Sequence, residues 1–287
     1  MSTISRTLLD DTKEKELDEL GWTVVDLLGP GEVAELRDFY FGEAAAQDLN
    51  PPGAFDSTYA EFSVIHCRPD FRARAFDRIT QVIGPRAAEH LVDHRPLVAN
   101  FVNKLPGTGV VPAHQNWAVV DERSFRSVSV WVALVDCEVD NGAVQFLAGS
   151  HSPYREPRGM WAYEAFVDVF EELAADLVPV EVRAGQAIIL DDAVVHYSPP
   201  NETAADRLAI QLVMVPRSAE PLFFQQVGTE GTDLIADVWN VEPEFFFDFW
   251  HGDGDARHGR VVDRIRVDGR RLDPARFREL FGSHAGR

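Results

Sequence analysis

Three short stretches carry side chains able to do chemistry together. They are Ala113-His114-Gln115-Asn116-Trp117, Asn141-Gly142-Ala143 running on to Gly149-Ser150-His151, and Asp191-Asp192-Ala193-Val194-Val195-His196-Tyr197-Ser198, with Arg207 eleven residues beyond His196. Taken singly, each is ordinary. A histidine beside a turn usually satisfies a local hydrogen bond, Asn-Gly-Ala is a good hairpin turn, and an arginine opening a strand is normally half-exposed. Taken together their order and spacing are more specific than any one of them, and their residue types are ones that can bind a metal or a carboxylate. Imidazoles bind divalent first-row metals, and the planar guanidinium fork matches a carboxylate bidentately. Positions i and i+2 of a strand point to the same side, about 6–7 Å apart at Cα, so His114 and residue 116 can reach one ion. His196 would arrive from a neighbouring strand.

The elements that must hold these residues are short and mostly β. From Pro96 onward, β-type runs cover Leu97 to Asn103, Ser127 to Val135, Ala143 to Leu147, Ala187 to Leu190 and Leu208 to Val215. Turn signals such as Pro106-Gly107, Asp140-Asn141-Gly142 and Ala184-Gly185 separate them, a spacing that predicts a sandwich or barrel rather than a βαβ sheet. Ahead of them lie a charged helical stretch ending at Leu20-Gly21, a strand over Trp22 to Leu28, a helix over Glu32 to Ala46, the 50–53 loop, and a helix from Pro69 to Leu91 that breaks at Gly84-Pro85. An insert over 160–177 reads as a packing helix or a lid. The aromatic tail, with Trp239, Phe245, Phe246, Phe247, Phe249 and Trp250, reads as a helix or loop closing the core, or as a dimer contact or substrate wall. The expected organisation is one domain over 1–287: a helical layer over about 1–95, a β core over about 96–217 and the tail over 218–287.

The chain has 27 basic and 47 acidic residues, a net charge of −20, with no clustered basic patch. That argues against nucleic acid or an anionic membrane face as a partner. No run approaches the ~18 apolar residues of a membrane span, and the first residues lack a signal peptide's apolar core, so a cytoplasmic location is expected. Cys67 and Cys137 form no CxxC pair and read as reduced, half-buried apolar residues.

In order and spacing the three stretches resemble the phytanoyl-CoA dioxygenase family, which has His-x-Asp, an Asn-Gly-Ala…Gly-Ser-His segment, and a distal histidine followed by a serine and an arginine. The opening Leu-Gly-Trp-Thr-Val-Val-Asp-Leu-Leu is similar to that family's first strand, so the resemblance spans roughly residues 15 to 217. It implies a mainly β fold with flanking α-helices and a double-stranded β-helix (jelly-roll or cupin-like) core. It also implies a non-haem oxygenase with Fe(II) as cofactor and 2-oxoglutarate and O2 as cosubstrates, oxidising an unactivated C–H of a small molecule. By resemblance His114, Asn116 and His196 would hold iron, Arg207 and Ser198 would bind the distal carboxylate of 2-oxoglutarate, and Lys104, Gln115 and Trp131 would line its pocket. His151 would be structural or support the site.

The sequence departs from the family at Asn116, where the family has a ligating aspartate. Asp192 does not look able to replace it: on one extended strand it would stand about 13 Å from His196. Asp191 would face the other way, and Asp121 sits beside Glu122 and Arg123 in what reads as an exposed loop. Three readings stay open: an oxygenase ligated by the Asn116 amide oxygen, a halogenase-like enzyme, or a non-catalytic jelly-roll binding protein. The absence of a basic cluster fits a small substrate, such as an amino acid or a natural-product intermediate, better than a CoA thioester. Oligomeric state is not legible.

Overall fold

The strand Val128–Ala133 (β5) is buried along its whole length, so both its faces must be covered, and this requirement organises the molecule. A computed structural model describes residues 5–46, 60–65, 68–248, 258–268 and 271–282. The 50–53 loop, Cys67, Phe249 and Trp250 lie outside these.

β5 sits inside a six-stranded sheet with Trp22–Asp26 (β1), Glu61–Phe62 (β2), His94–Lys104 (β3), Gln186–Asp191 (β8) and Arg207–Pro216 (β10), in the order β1-β8-β5-β10-β3-β2. One face, with Val128, Val130, Val132, Ile189 and Ile210, packs under the helices Asp11–Leu20 (α1), Pro30–Ala46 (α2) and Pro69–Ala88 (α3). The other face, with Trp131, Ala133, Ile188 and Ala209, meets Val144 and Phe146 of a second sheet. That four-stranded sheet runs Val111–His114 (β4), His196–Ser198 (β9), Val144–Leu147 (β6) and Leu177–Val180 (β7). Strand pairing among the described residues is antiparallel throughout, and the two facing sheets form the jelly-roll core. The alternation of side chains along each strand divides its residues between helix layer and interior.

The α3 helix differs from expectation at Gly84-Pro85, which it passes through rather than ending there. Phe71, Ala75, Ile79, Ile83 and Ala87 make one continuous buried stripe at helical spacing across the proline. Each large apolar side chain on it contributes about 1.5–3 kcal/mol of burial. That offsets the ~3 kcal/mol cost of one interior proline.

The tail holds more structure than its aromatic composition suggested. Leu222–Glu230 (β11), Asp233–Val241 (β12) and Gly259–Asp268 (β13) form a three-stranded sheet. Beyond β12, Phe245 and Phe246 close the core against Leu97, Val98, Val215 and Phe223. The 160–177 insert is a pair of tight turns followed by the short helix Phe170–Ala174 (α4). Its Phe166, Val169 and Leu173 pack with Ala113, Val195, and Phe277 and Phe281 of the helix Pro274–Phe281 (α5). Among the described residues no helix is long and apolar enough to cross a membrane.

Candidate active site

Register brings the two histidines together. β4 and β9 pair with His114 opposite His196, and the ring centroids lie 4.2 Å apart. Each Nδ1 meets a carbonyl two residues back: Pro112 at 2.8 Å for His114 and Val194 at 3.0 Å for His196. A carbonyl accepts only, so Nδ1 carries the proton and the lone pair falls on Nε2, the tautomer a metal-binding histidine needs. Burial keeps both rings neutral. It lowers His196 to about 4. Burial, then the neighbouring His196, holds His114 well below the usual histidine range.

Asn116 lies two residues beyond His114. Its Nδ2 donates to Asp192 Oδ1 at 2.9 Å and to Ser129 Oγ at 3.1 Å, while Ser129 Oγ donates to Asp192 Oδ1 at 2.7 Å. With the amide nitrogen so engaged, the oxygen is the atom left to face His114, which the side chain also contacts. Arg158 steadies the backbone here: its Nε donates to the Asn116 carbonyl at 2.9 Å and its Nη2 to Glu122 at 2.5 Å.

Asp192 overturns one expectation about local geometry. β8 ends at Asp191 and β9 begins at His196, with a turn between them, so the two residues do not share an extended strand. The turn folds Asp192 back against Asn116. Still, among the described residues no three His, Cys, Asp or Glu side chains gather to hold an ion, so Asp192 does not join the histidine pair directly. Burial, opposed by hydrogen bonds from Ser129, Ser127 and Asn116, pushes its carboxyl up to about 6. Asp191 turns the other way, to Arg126 and Arg155. Asp121 pairs locally with Arg123, as a loop residue would, but Glu122 is buried against Arg158 rather than exposed.

The second cluster is cationic. β10 and β3 place Arg207 opposite Lys104, and both side chains are fully enclosed. Residues directly opposed in an antiparallel pair share a face, here the sandwich interior. The Arg207 guanidinium lies 5.3 Å from the Trp131 ring centroid. Its polar contact is the Cys137 thiol, which burial pushes up to about 11, while Nε and Nη1 have no hydrogen-bond partner. Cys137 is thus fully buried rather than half-buried.

Lys104 Nζ donates to Ser198 Oγ at 2.5 Å and to the Pro199 carbonyl, and Ser198 Oγ in turn donates to the Gly142 carbonyl at 2.7 Å. Two glycines make its channel. A Cβ on Gly109 (φ 90°) would sit 2.7 Å from Lys104 Cγ, and one on Gly142 (φ 87°) 2.9 Å from Nζ. This explains the glycine of the Asn-Gly-Ala stretch. Burial, then the Arg207 charge, lowers Lys104 to about 6.

Two further residues stand apart from both clusters. Gln115 points away from the His114 face by strand alternation, and its Nε2 donates to the Tyr154 and Ala193 carbonyls at 2.8 and 2.6 Å. It borders instead a cavity of about 310 Å³, also lined by Tyr154, Arg158, Trp161, Gln226 and Leu234, between the core and the C-terminal sheet. His151 meets the Asp18 carbonyl and stands beside Gly21, a packing position. Sequence reasoning missed the Asn116–Asp192–Ser129 triangle and the Arg158–Glu122 pair. The one signal was Asp191-Asp192, two carboxylates closing an apolar run.

The model of the phytanoyl-CoA dioxygenase family matches residues 19–209. The chain is 31% identical over 120 residues to phytanoyl-CoA dioxygenase domain-containing protein 1 of Danio rerio, covering 39% of this chain and 41% of that protein. The chain therefore spans about two fifths of that curated relative's length. Among solved structures it resembles the epimerase SnoN in complex with Fe3+, alpha ketoglutarate and nogalamycin RO, at 21% identity and a TM-score of 0.54, covering 93% of this chain and 96% of that one. It also resembles HygX from Streptomyces hygroscopicus with nickel and 2-oxoglutarate bound, at 20% identity and a TM-score of 0.52, covering 73% of this chain and 88% of that one. At these identities the likeness is one of fold.

Proposed function

The chain belongs to the phytanoyl-CoA dioxygenase family, and from that premise we propose that it is a non-haem Fe(II)- and 2-oxoglutarate-dependent oxygenase acting on an unactivated C–H of a small molecule. The observation that carries the proposal is the enclosed pair Arg207 and Lys104, a guanidinium and an amine that meet no carboxylate among the described residues. Burying an unpaired guanidinium costs several kcal/mol, and its charge helps to hold the adjacent Lys104 neutral. A dicarboxylate ligand supplies what they lack.

The residues fit the implied groups. Two neutral imidazole nitrogens and one amide oxygen suit Fe(II) and leave three positions open. Arg207 would take the distal carboxylate of 2-oxoglutarate through its guanidinium, assisted by Lys104 and Ser198. When bound, iron with 2-oxoglutarate and O2 supplies the oxidising power for C–H cleavage, with 2-oxoglutarate leaving as succinate and CO2. The chain contributes position and dryness: Trp131, Phe146 and Ala209 wall the interior. Asn116 occupies the third ligand position with a side chain held by Asp192 and Ser129, which favours an oxygenase over a halide-binding site that requires that position empty. The absence of a clustered basic patch favours an amino acid or a natural-product intermediate as substrate, with hydroxylation, desaturation and cyclisation as the reaction types.

Calorimetry of 2-oxoglutarate binding to Mn(II)-loaded protein tests the proposal. Free Lys104, lowered to about 6, is mostly neutral at pH 7.5, and a carboxylate arriving beside it favours the charged form. Binding should therefore take up a proton, read from the heat in buffers of different ionisation enthalpy. Lys104→Met should bind more weakly and abolish that uptake. Absence of 2-oxoglutarate binding would remove the proposal.

A further inference from the structure

We propose that Asp192 is a positioning residue for the metal ligand Asn116: it fixes the amide so that its oxygen faces the imidazoles, and it returns, behind the amide, the negative charge that an asparagine ligand lacks. The inference rests on the reading that His114, Asn116 and His196 hold the metal.

Asp192 is fully buried. Its neighbour Asp191 is matched by Arg126 and Arg155, whereas no lysine or arginine among the described residues pairs with Asp192. Its carboxylate instead accepts from Ser129 Oγ and Asn116 Nδ2 at 2.7 and 2.9 Å. Ser129 completes the clamp. Its hydroxyl proton goes to Asp192, so its lone pairs receive Asn116 Nδ2 and Gln211 Nε2, each at 3.1 Å. An amide turned over by 180° would set its oxygen against both the carboxylate and the serine lone pairs, so one orientation is selected.

A divalent ion on the amide oxygen draws electron density from the amide nitrogen and strengthens its N–H donation to Asp192. Metal and carboxylate then support each other through one amide. The corollary concerns residue 116 itself. An aspartate there would oppose Asp192 at hydrogen-bonding distance, so Asn116 and Asp192 form a matched pair, and the family's ordinary ligand is unsuited to this particular surrounding.

A double-mutant cycle in the full chain tests this, with Co(II) as the probe and affinity by calorimetry and the Co(II) visible spectrum as readouts. Asp192→Asn should weaken Co(II) about 10–100-fold, the range found when a group supporting a metal ligand is lost. In the Asn116→Asp background the same substitution should reverse sign, so that N116D/D192N binds Co(II) at least about tenfold tighter than N116D. A merely structural Asp192 would weaken binding in both backgrounds. Ser129→Ala, which keeps the carboxylate and removes one arm of the clamp, gives a milder second variant expected to lose a few-fold in affinity. An Asp192→Asn protein that binds Co(II) within twofold of wild type, or a cycle without the sign reversal, overturns the inference. If D192N does not fold, an unchanged Ser129→Ala overturns it. His114→Ala separates the two claims. Its loss of Co(II) binding beside an unaffected D192N defeats this inference alone, whereas wild-type protein that binds no Co(II) defeats the metal site and this inference with it.

Discussion

Arg207→Ala is expected to raise the dissociation constant of 2-oxoglutarate about a hundredfold or more while leaving Fe(II) or Mn(II) affinity within a few-fold. Losing one partner of an enclosed, hydrogen-bonded charge pair costs on the order of 2–5 kcal/mol, and 2.8 kcal/mol is about a hundredfold in affinity. The metal is spared because Arg207 belongs to β10, opposite Lys104, whereas the histidines belong to β4 and β9. The apoprotein should tolerate the change and gain stability from it, since a guanidinium with Nε and Nη1 unpartnered is removed from the interior. Arg207→Lys should recover only part of the affinity, because an ammonium lacks the planar fork. Competitive binding of 2-oxoglutarate against a fluorescent analogue measures the first effect, and thermal melting the second. A variant with unchanged 2-oxoglutarate affinity would place the cosubstrate elsewhere.

His114→Ala and His196→Ala are each expected to lower substrate-dependent succinate formation by more than about a thousandfold and to abolish metal binding at micromolar concentration. A site of two imidazoles and a neutral amide has little ligand strength in reserve, so it cannot lose one imidazole as a carboxylate-bearing triad can. The variants should remain folded. His114 gives up its contacts with the Pro112 carbonyl and the Asn116 side chain, and His196 its contact with the Val194 carbonyl, in a sheet otherwise held by its ladder. Metal content of the purified proteins and succinate release check the pair, and full succinate formation in either variant would contradict the assignment.

Much of this arrangement could be read from the chain because it is local. The β runs of the core alternate between two buried faces and are bounded by glycine and proline, so Val128–Ala133 and Gln186–Asp191 stand out from sequence. The likeness to a known family supplied the jelly-roll core and grouped His114, His196 and Arg207, which lie far apart in the chain. What stayed hidden depends on tertiary placement. The stripe of Ile79, Ile83 and Ala87 carries α3 past Pro85, a result set by packing that propensity alone opposes. β11 and β13 are largely exposed beyond their inner residues, so Gln225 to Glu230 and Arg260 to Arg264 lack the hydrophobic alternation that marks a half-buried strand. The turn that carries Asp192 back is made by Asp191, whose side chain accepts from the Ala193 amide and whose carbonyl accepts from the Val194 amide, a use of aspartate that an extended-strand reading overlooks. The Gln115 and Ser150 side chains add tertiary ties, to the Ala193 carbonyl and from the Val195 amide. Gln115 was grouped with the cosubstrate pocket by motif position, yet strand alternation turns it to the other side.

The central claim is that this interior holds Fe(II) and 2-oxoglutarate together despite an asparagine ligand. Anaerobic titration of the apoprotein with Fe(II) and then 2-oxoglutarate, followed by visible absorption, addresses it most directly. The chelate of a keto acid on Fe(II) gives a charge-transfer band that neither component shows alone. The account predicts that band in the wild-type protein, its loss in His114→Ala, and its appearance only at much higher 2-oxoglutarate in Arg207→Ala. A wild-type protein without the band at any attainable Fe(II) concentration, with the band created by Asn116→Asp alone, would contradict it and make the chain a jelly roll that no longer performs this chemistry.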